Sequence, residues 1–399
     1  MKQLPELLAP VGNMVMLRAA IDAGADAVYF GVKGFNMRAN AKNFELGQIK
    51  KIVKLCHENN VKAYMTINII IYDNELDKLR QTVTAAKEAG VDAIICWDLA
   101  VINECKKQDI EFHISTQASI SNFESLKFYH ALGAPRVVLA RECTLEQIKD
   151  IKKKIKDNKL DVEIEAFIHG AMCISVSGRC FLSQFEYCKS ANRGECLQPC
   201  RRSYQIIDKE TGREFELGTD YVLSPKDMCT IEIVDKLIEA GIDSFKIEGR
   251  MRSEEYVKTV VSAYREAIDN YPNINTKKLL DELKTVYNRG FSDGFYMGKP
   301  INEFTDAYGS KATTNKVYIG KIKKFYNAPQ VLEMTLEQDI KIGDNLMVQG
   351  PTTGVKEETI SSIQIDGEPV KSANKKDRIG IKLGFKARPN DKVFIIKKV

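Results

Sequence analysis

Four cysteines lie close together in the middle of the chain and are the residues best suited to binding a metal cluster. Cys173, Cys180, Cys196 and Cys200 are separated by six, fifteen and three residues. The intervening residues include glycine and proline and show little helical or strand periodicity, so the thiols can converge from loops. An all-sulfur ligand set selects an iron–sulfur cluster or zinc. Structural zinc sites usually contain two short cysteine pairs, and only Cys196 and Cys200 form one, so the spacing favours iron–sulfur.

The other six cysteines show no comparable pattern and are interpreted mainly as core residues, because cysteine is among the most buried residue types. The sequence shows no secretion signal and no apolar run near the roughly 20 residues of a membrane span. We therefore expect a cytoplasmic, reducing location without membrane contact, in which thiols stay reduced.

Eight short apolar runs alternate with amphipathic segments over residues 6–250. Eight strand–helix units are typical of a (β/α)8 TIM-like barrel, which we predict over residues 1–310. An open doubly wound sheet is the alternative, but no Gly-x-Gly-x-x-Gly motif follows the first strand. The predicted strands are Leu7–Ala9, Ala27–Gly31, Ala63–Asn68, Ala93–Cys96, Phe112–Gln117, Arg136–Ala140, Val162–Ile168 and Ser244–Glu248.

Alternation within the strands predicts a polar barrel interior. In four predicted strands the residues that face the helices are apolar, whereas residues of the opposite parity are polar. Buried charges without partners are costly, so these side chains either pair with one another or surround a polar ligand. We favour the ligand. The inward polar residues include Asn68, Gln117, Glu165, His169, Lys246 and Glu248.

The carboxyl ends of the strands form the face on which TIM barrels keep their active sites. The loop over residues 171–220 follows the seventh strand, holds the four cysteines and is too long for an ordinary connection. Arginines near the strand ends suit a carboxylate-bearing substrate, and a glutamate whose pKa burial raises can transfer protons; structural salt bridges are the alternative. We predict Glu165, His169, Lys246 and Glu248 as catalytic residues, and Asn68, Gln117, Arg141, Glu142, Arg201 and Arg250 as substrate-binding residues.

Residues 311–399 have a different sequence pattern, in which short strand-like runs are separated by turns. This pattern predicts a small antiparallel β-barrel domain. The segment carries 17 Lys and Arg against 10 Asp and Glu, a surplus of 7, whereas the whole chain has a net charge of +5. A basic surface of this kind attracts a phosphate backbone. A lysine-rich surface that only aids solubility is the alternative.

Motifs of common hydrolases are missing from the sequence. It contains neither His-Glu-x-x-His nor Gly-x-Ser-x-Gly, which mark zinc proteases and serine hydrolases. Of the four histidines, His113 and His169 have inward parity, whereas His57 and His130 lie in predicted helices. The sequence therefore offers no recognisable nucleophile–base pair.

Several segments resemble a known family. The segment Glu165–Ser183, which includes Cys173 and Cys180, is similar to the signature of peptidase family U32, the collagenase-like proteins. The resemblance covers nearly the whole chain. It extends to Leu7–Gly12, Ile114–Gln117, Leu139–Glu142, Arg193–Arg201 and Phe245–Met251.

This resemblance implies a hydroxylase more than a peptidase. Members of the family hydroxylate RNA or quinones and hold a 4Fe-4S cluster on four cysteines, which correspond here to Cys173, Cys180, Cys196 and Cys200. In length and in its added β-domain, the chain resembles the branch that makes 5-hydroxyuridine at the wobble position of tRNA, with prephenate as the implied hydroxyl donor. The expected partners are tRNA, a small dicarboxylate co-substrate and a paired family member.

Three alternatives stay open. The ubiquinone branch of the family recruits a cysteine outside the compact motif, which implies Cys229 as a replacement for Cys200. The activity itself is open between tRNA hydroxylation, hydroxylation of another RNA or of a quinone precursor, and a collagenase-like peptidase. A non-catalytic protein that binds RNA or assists another subunit is the last alternative.

Overall fold

Eight parallel strands close into a barrel in the computed structural model, which describes residues 4–39, 42–205, 207–212, 223–300 and 303–399. Neighbouring strands pair in chain order, and the last strand pairs with both the first and the seventh, which closes the ring. The predicted (β/α)8 barrel is confirmed, with all eight strands at the predicted places. The barrel strands are β1 (Glu6–Val11), β2 (Ala27–Gly31), β3 (Lys62–Ile67), β4 (Ala93–Cys96), β5 (Phe112–Ile114), β6 (Arg136–Val138), β7 (Glu163–Ala171) and β9 (Ser244–Ile247).

A helix follows each barrel strand and packs on the outside of the ring, where the apolar faces of helices and strands form one core. Polar caps fix where some helices begin: the Asn13 side chain accepts hydrogen bonds from the amides of Val15 and Met16 at 2.9 and 3.0 Å. Among the described residues, no helix has the length and apolar character needed to cross a bilayer. The eight helices are α1 (Met14–Asp22), α2 (Ile49–His57), α3 (Leu76–Glu88), α4 (Leu99–Lys107), α5 (Phe123–Ala131), α6 (Leu145–Asp157), α8 (Val234–Glu239) and α9 (Glu254–Asp269).

The barrel interior contains the predicted polar side chains beside an apolar cluster that includes Leu8, Ala93 and Ile95, and its lower half pairs its own charges. Arg136 donates to Glu163 at 2.7 Å and also contacts Glu6 at the amino-terminal end of the barrel. Above them, Lys246 Nζ lies 2.6 Å from Glu165 Oε1. The upper half of the interior instead lines a cavity at the carboxyl ends of the strands.

Strand β7 extends beyond the barrel and carries the connection that contains the cysteines. Strand β8 (Asp227–Cys229) runs antiparallel to the end of β7, and β10 (Phe291–Ser292) adds next to β8. The short helix α7 (Leu182–Tyr187) lies within this connection, and α10 (Thr276–Leu283) packs against α9. Residues 206 and 213–220 of the predicted loop lie outside the described residues.

The inward orientation predicted for His169 is wrong. The register between β7 and β9 shifts between Phe167 and His169, so the alternation reverses there. Phe167 lines the cavity, whereas the ring of His169 lies 5.6 to 5.9 Å from the rings of Tyr256, Tyr264 and Phe291. Burial lowers the pKa of His169 to about 3, and the positive charge of Arg252 adds to this shift. His169 is therefore a neutral packing residue at neutral pH.

The C-terminal segment is an antiparallel sheet region around its own apolar core, as predicted. Eight strands pair in one sheet and two form a separate ladder. The core of the barrel contains residues between Leu7 and Tyr296, and the core of the sheet region contains residues between Ile319 and Ile395. The domain boundary near residue 310 stays a prediction. The strands are β11 (Thr314–Tyr326), β12 (Val331–Thr335), β13 (Ile340–Lys341), β14 (Asn345–Gly350), β15 (Gly354–Thr359), β16 (Ile363–Ile365), β17 (Glu368–Val370), β18 (Ser372–Ala373), β19 (Arg378–Lys382) and β20 (Lys392–Lys398).

The two parts meet along α1 and the start of α9. Ala19 of α1 packs in an apolar cluster with Met347, Val355 and Phe394 of the sheet region. Polar contacts surround this cluster, including an ion pair of 2.6 Å between Lys316 and Glu255. The contacts extend along the helices, from Glu255 near the start of α9 to Asp22 at the end of α1, which pairs with Lys356 at 3.0 Å.

Candidate active site at the mouth of the barrel

A cavity of about 300 Å³ lies over the carboxyl ends of the barrel strands. Its floor consists of inward side chains of the strands, among them Tyr29, Thr66, Ile95, Phe167 and Lys246. Its roof is the connection between β7 and β8. This is the position at which TIM barrels bind substrates, and the volume suits a small organic molecule.

The cavity wall is strongly cationic. Among its described lining residues, six cationic side chains face two carboxylates, Glu142 and Glu248. Such an excess favours an anionic ligand, and guanidinium groups bind carboxylates through paired hydrogen bonds. The six cationic residues are Arg38, Arg141, Arg201, Lys246, Arg250 and Arg289.

Lys246 projects into the floor of the cavity from β9, and Glu165 supports it from below. Besides its ion pair with Glu165, Lys246 Nζ lies 4.6 Å from the ring centroid of Tyr29. Burial lowers the pKa of Lys246, and the charge of Glu165 opposes this shift. Glu165 does not itself line the cavity, so its contact with a ligand would pass through Lys246.

Glu248 is held by arginines and stays ionised. Its Oε1 accepts hydrogen bonds from Nη2 and Nε of Arg38 at 3.0 and 3.3 Å. Burial alone would raise the pKa of Glu248, but Arg38, Arg252 and Arg141 outweigh it and lower the pKa to about 2. At neutral pH this geometry suits a carboxylate that positions Arg38, not a proton donor.

Arg250 and Arg141 both line the cavity, and each is oriented by a second group. Arg250 Nη1 donates to Thr66 at 3.1 Å, and burial is the main cause that lowers the pKa of Arg250 to about 10, so it remains a cation. A Cβ atom on Gly31 would lie 2.4 Å from Arg250 Nη1, so only glycine leaves room for this guanidinium. Arg141 donates to the carbonyl of Ala171 at 2.6 Å and stacks over the Phe167 ring at 3.9 Å.

Asn68 and Gln117 also line the cavity, as predicted, and each is already hydrogen-bonded. The Asn68 Oδ1 atom accepts a hydrogen bond from the amide of Met37 at 3.1 Å. Gln117 Oε1 accepts a hydrogen bond from the Ser115 hydroxyl. These contacts fix the two amide groups, so each presents a defined polar edge to a ligand.

All four cysteines of the compact motif line the cavity, and Cys229 does not. The amides of Ser175 and Leu182 donate to the sulfurs of Cys173 and Cys180 at 3.5 and 3.3 Å, contacts that favour thiolates. Burial raises the pKa of the Cys200 thiol, Arg201 opposes this, and the other three motif cysteines add to it. The four thiols are therefore close enough to influence one another.

The soft sulfur donors of the four cysteines fit an iron–sulfur cluster by their chemistry. No group of three or more His, Cys, Asp or Glu side chains in the described ranges is arranged to hold a metal ion. Cys229 lies behind the cavity, opposite His169 and 3.9 Å from the hydroxyl of Tyr264. Its position therefore favours Cys200, not Cys229, as the fourth sulfur.

Arginine contacts hold the cysteine connection over the barrel. Arg193 Nη1 donates to Glu75 Oε2 at 2.8 Å, next to the start of α3. Arg201 donates to the Ser224 hydroxyl and to the carbonyl of Pro225, both at 2.9 Å, and to the carbonyl of Met172. These bonds use both terminal nitrogens of Arg201, which also lines the cavity, so its guanidinium anchors the connection there and its substrate-binding role stays a prediction.

Comparison with known proteins identifies the family. The sequence model of peptidase family U32 matches residues 12–306, which is most of the chain. The chain belongs to peptidase family U32. The resemblance predicted from the sequence is therefore confirmed.

Relatives within the U32 family carry names of two kinds. A protein of Porphyromonas gingivalis named collagenase is 43% identical over 406 residues, covering 98% of each chain. A tRNA hydroxylation protein of Bacillus subtilis is 38% identical over 371 residues, covering 90% of this chain and 86% of its own. A 23S rRNA 5-hydroxycytidine synthase of Escherichia coli is 40% identical over 264 residues, covering 66% and 39%.

Three residues of this U32 site escaped the sequence analysis. Tyr29 has the inward parity of β2, a signal that could have been used, and its hydroxyl donates to the carbonyl of Ile247 at 2.9 Å. Arg38 and Arg289 lie on irregular segments, where no periodicity indicates direction. Only tertiary contacts place them, through Glu248 for Arg38 and through Asp227 for Arg289, at 3.0 and 2.8 Å.

Glu142 and Ser177 lie together in the wall of the cavity, and each has a side-chain oxygen without a hydrogen-bond partner among the described residues. The amide of Ser177 donates to Glu142 Oε1 at 3.1 Å, which ties the cysteine connection to the loop after β6. Glu142 Oε2 and the Ser177 hydroxyl are buried without a hydrogen-bond partner among the described residues. A buried polar atom left unpaired is costly, so this part of the wall suits a ligand or water that supplies the missing bonds.

Proposed function

We propose that this protein hydroxylates C5 of the wobble uridine of tRNA, using prephenate as hydroxyl donor and a 4Fe-4S cluster on Cys173, Cys180, Cys196 and Cys200. The observation that carries the proposal is that four thiols and six cationic side chains line one cavity. The names of the Bacillus subtilis and Escherichia coli relatives support RNA hydroxylation.

A small dicarboxylate fits the charges of the cavity. Arg141 and Arg250 can each bind one carboxylate. Their hydrogen bonds to described residues use only Nη1, which leaves Nη2 and Nε of each guanidinium for a ligand. Lys246 on the floor supplies an ammonium that can donate to a further oxygen. Glu248 stays ionised and keeps Arg38 turned toward the cavity, so the wall remains cationic when the donor leaves.

The cysteine connection would hold the cluster at the roof of the same cavity. When bound, an iron–sulfur cluster supplies an iron that can bind an oxygen group of the donor and exchange electrons with it. The backbone amides of Ser175 and Leu182 stabilise the thiolates of Cys173 and Cys180. Arg201 anchors the segment that carries Cys200, so these residues would hold the four thiols at the roof of the cavity.

Anaerobic reconstitution tests the proposal directly. Protein purified without oxygen should show visible absorption with iron and acid-labile sulfide, and with prephenate it should convert uridine to 5-hydroxyuridine in tRNA from a strain that lacks the activity. Mass spectrometry of digested nucleosides measures the product. Replacing all four cysteines with serine should abolish it. Unchanged nucleosides with a fully loaded protein would refute the proposal.

Peptide hydrolysis is the second candidate, because the Porphyromonas gingivalis relative is named collagenase. The described cavity residues include Ser115, Ser177 and Ser183 but no histidine, so the described cavity contains no serine–histidine pair. Release of soluble peptides from collagen by the pure protein, undiminished by serine at all four cysteines, would favour this candidate over hydroxylation.

A further inference from the structure

Resting on the proposed function, we propose that an exposed aromatic platform on the cysteine connection binds unstacked bases of single-stranded RNA that flank the target nucleotide. The aromatic platform comprises the exposed Phe181, Phe185 and Tyr204, together with the half-buried Tyr187 and, beside it, Arg202. It would hold neighbouring nucleotides while the target base enters the cavity.

The platform exposes large apolar rings in a way that isolated surface residues do not. Phe181 is 63% exposed and Phe185 is 84% exposed, and their ring centroids are 6.0 Å apart. Tyr204, also exposed, donates its hydroxyl to the carbonyl of Pro199 at 2.7 Å, which fixes its ring. Exposed rings that lie next to each other mark a binding surface, and Phe181 and Phe185 form such a pair.

The charge of the segment favours RNA as the occupant. Residues 173–204 contain five Lys and Arg against two Asp and Glu. The guanidinium of Arg202 lies 5.0 Å from the ring centroid of Tyr187. Nucleic-acid bases stack on arginine and aromatic side chains arranged in this way. Single-stranded nucleic acids bind to surfaces that combine aromatic rings with positive charge, because every base has a face that stacks.

The platform is continuous with the cavity. Phe181 stands between Cys180 and Leu182, and both of these residues line the cavity. Helix α7, which carries Phe185, packs against the turns Ala191–Arg193 and Pro199–Arg201, and the second of these turns holds Cys200. A nucleotide next to one whose base occupies the cavity therefore reaches the rings without leaving the cysteine connection.

Replacing Phe185 with alanine tests the platform by binding alone. The probe is a labelled RNA stem–loop with the tRNA anticodon sequence and 2-aminopurine beside the wobble uridine. We expect wild-type protein to quench 2-aminopurine, and Phe185→Ala, alone or with Phe181→Ala, to reduce the quenching and to weaken binding about tenfold. Phe128→Ala is the matched control, because Phe128 is 63% exposed on α5. It should change neither signal.

The outcomes separate this inference from the proposed function. Equal affinity and quenching for wild type and Phe185→Ala would overturn the platform, while product formation by the wild type would leave hydroxylation standing. Loss of self-association in Phe185→Ala without a change in RNA affinity would also overturn it, by showing that the rings bind a second protein. Weaker RNA binding with intact circular dichroism and iron content would support it.

Discussion

Lys246 and Glu165 form a buried ion pair, 2.6 Å apart, at the floor of the cavity. Removing one partner of such a pair leaves a charge without compensation, which costs about 3 to 5 kcal/mol. We therefore expect Glu165→Gln to lower the free energy of unfolding by about 3 kcal/mol. Adding Lys246→Met should restore part of this loss, because the unpaired charge disappears. Urea denaturation of the two single variants and the double variant measures the coupling, and strict additivity would contradict it.

His169 predicts a specific dependence of stability on pH. The unfolded histidine has a pKa near 6.5 and the folded one about 3, so between these values the unfolded state binds one more proton. The free energy of unfolding should therefore fall by about 1.4 kcal/mol for each pH unit as pH drops from 6.5 toward 3. Comparing His169→Phe with wild type by urea denaturation across this range isolates the effect, since other groups titrate in both. Parallel curves would show that His169 contributes nothing.

At the scale of the elements, the ion pair of Arg193 and Glu75 is one of the contacts that hold the cysteine connection over the barrel. Glu75→Gln should loosen the segment that carries Cys196, because the arginine loses its charged partner. We expect faster hydrogen exchange over residues 173–200 and less bound iron per chain, with little change in circular dichroism. Lys189→Gln is the control, since Lys189 forms only an exposed ion pair of 3.7 Å with Glu195 in the same connection. Equal exchange in both variants would contradict the anchor.

The elements were largely predictable because their patterns are local. Apolar alternation located all eight barrel strands, and parity correctly directed Asn68, Lys246 and Glu248 to the interior. Parity failed at His169, because an irregularity in strand pairing shifts the alternation without leaving a mark in the sequence.

The candidate site was less predictable than the strands, because several of its residues depend on contacts across the chain. Arg38 reaches the cavity only through Glu248, more than two hundred residues away. The sequence likewise indicated the four cysteines but not the arginines that hold them. Hydrophobic periodicity predicts the direction of side chains on helices and strands, but it predicts nothing for residues on irregular segments.

At the scale of the whole molecule, the sheet region offers a basic surface that tests the expected contact with tRNA. Lys321 of β11 and Lys392 of β20 are exposed and lie directly opposite each other, an arrangement of like charges that a phosphate would relieve. Changing both to Gln should weaken tRNA binding and reduce the salt dependence of log Kd by about 2. Fluorescence anisotropy over a range of KCl concentrations measures this slope.

A matched change elsewhere separates local contact from net charge. Lys278 of α10 also is exposed but is paired with Glu266 at 2.7 Å on the barrel exterior. Lys278→Gln should leave the slope unchanged within error. A slope that falls equally in both proteins would show that the sheet region makes no particular contact with RNA.

The seam between the sheet region and α1 has a further consequence for the choice of nucleotide. Ala19 packs into the sheet region, and Asn13, which caps the same helix, is bonded to Glu254 of α9 at 3.0 Å. The separation between the basic sheet and the cavity is thereby set by the folded chain itself. An RNA bound at both points would be positioned by the fixed distance between them. The nucleotide that enters the cavity would then be selected by its distance from the bound stem, and the sequence of the neighbouring nucleotides would matter little.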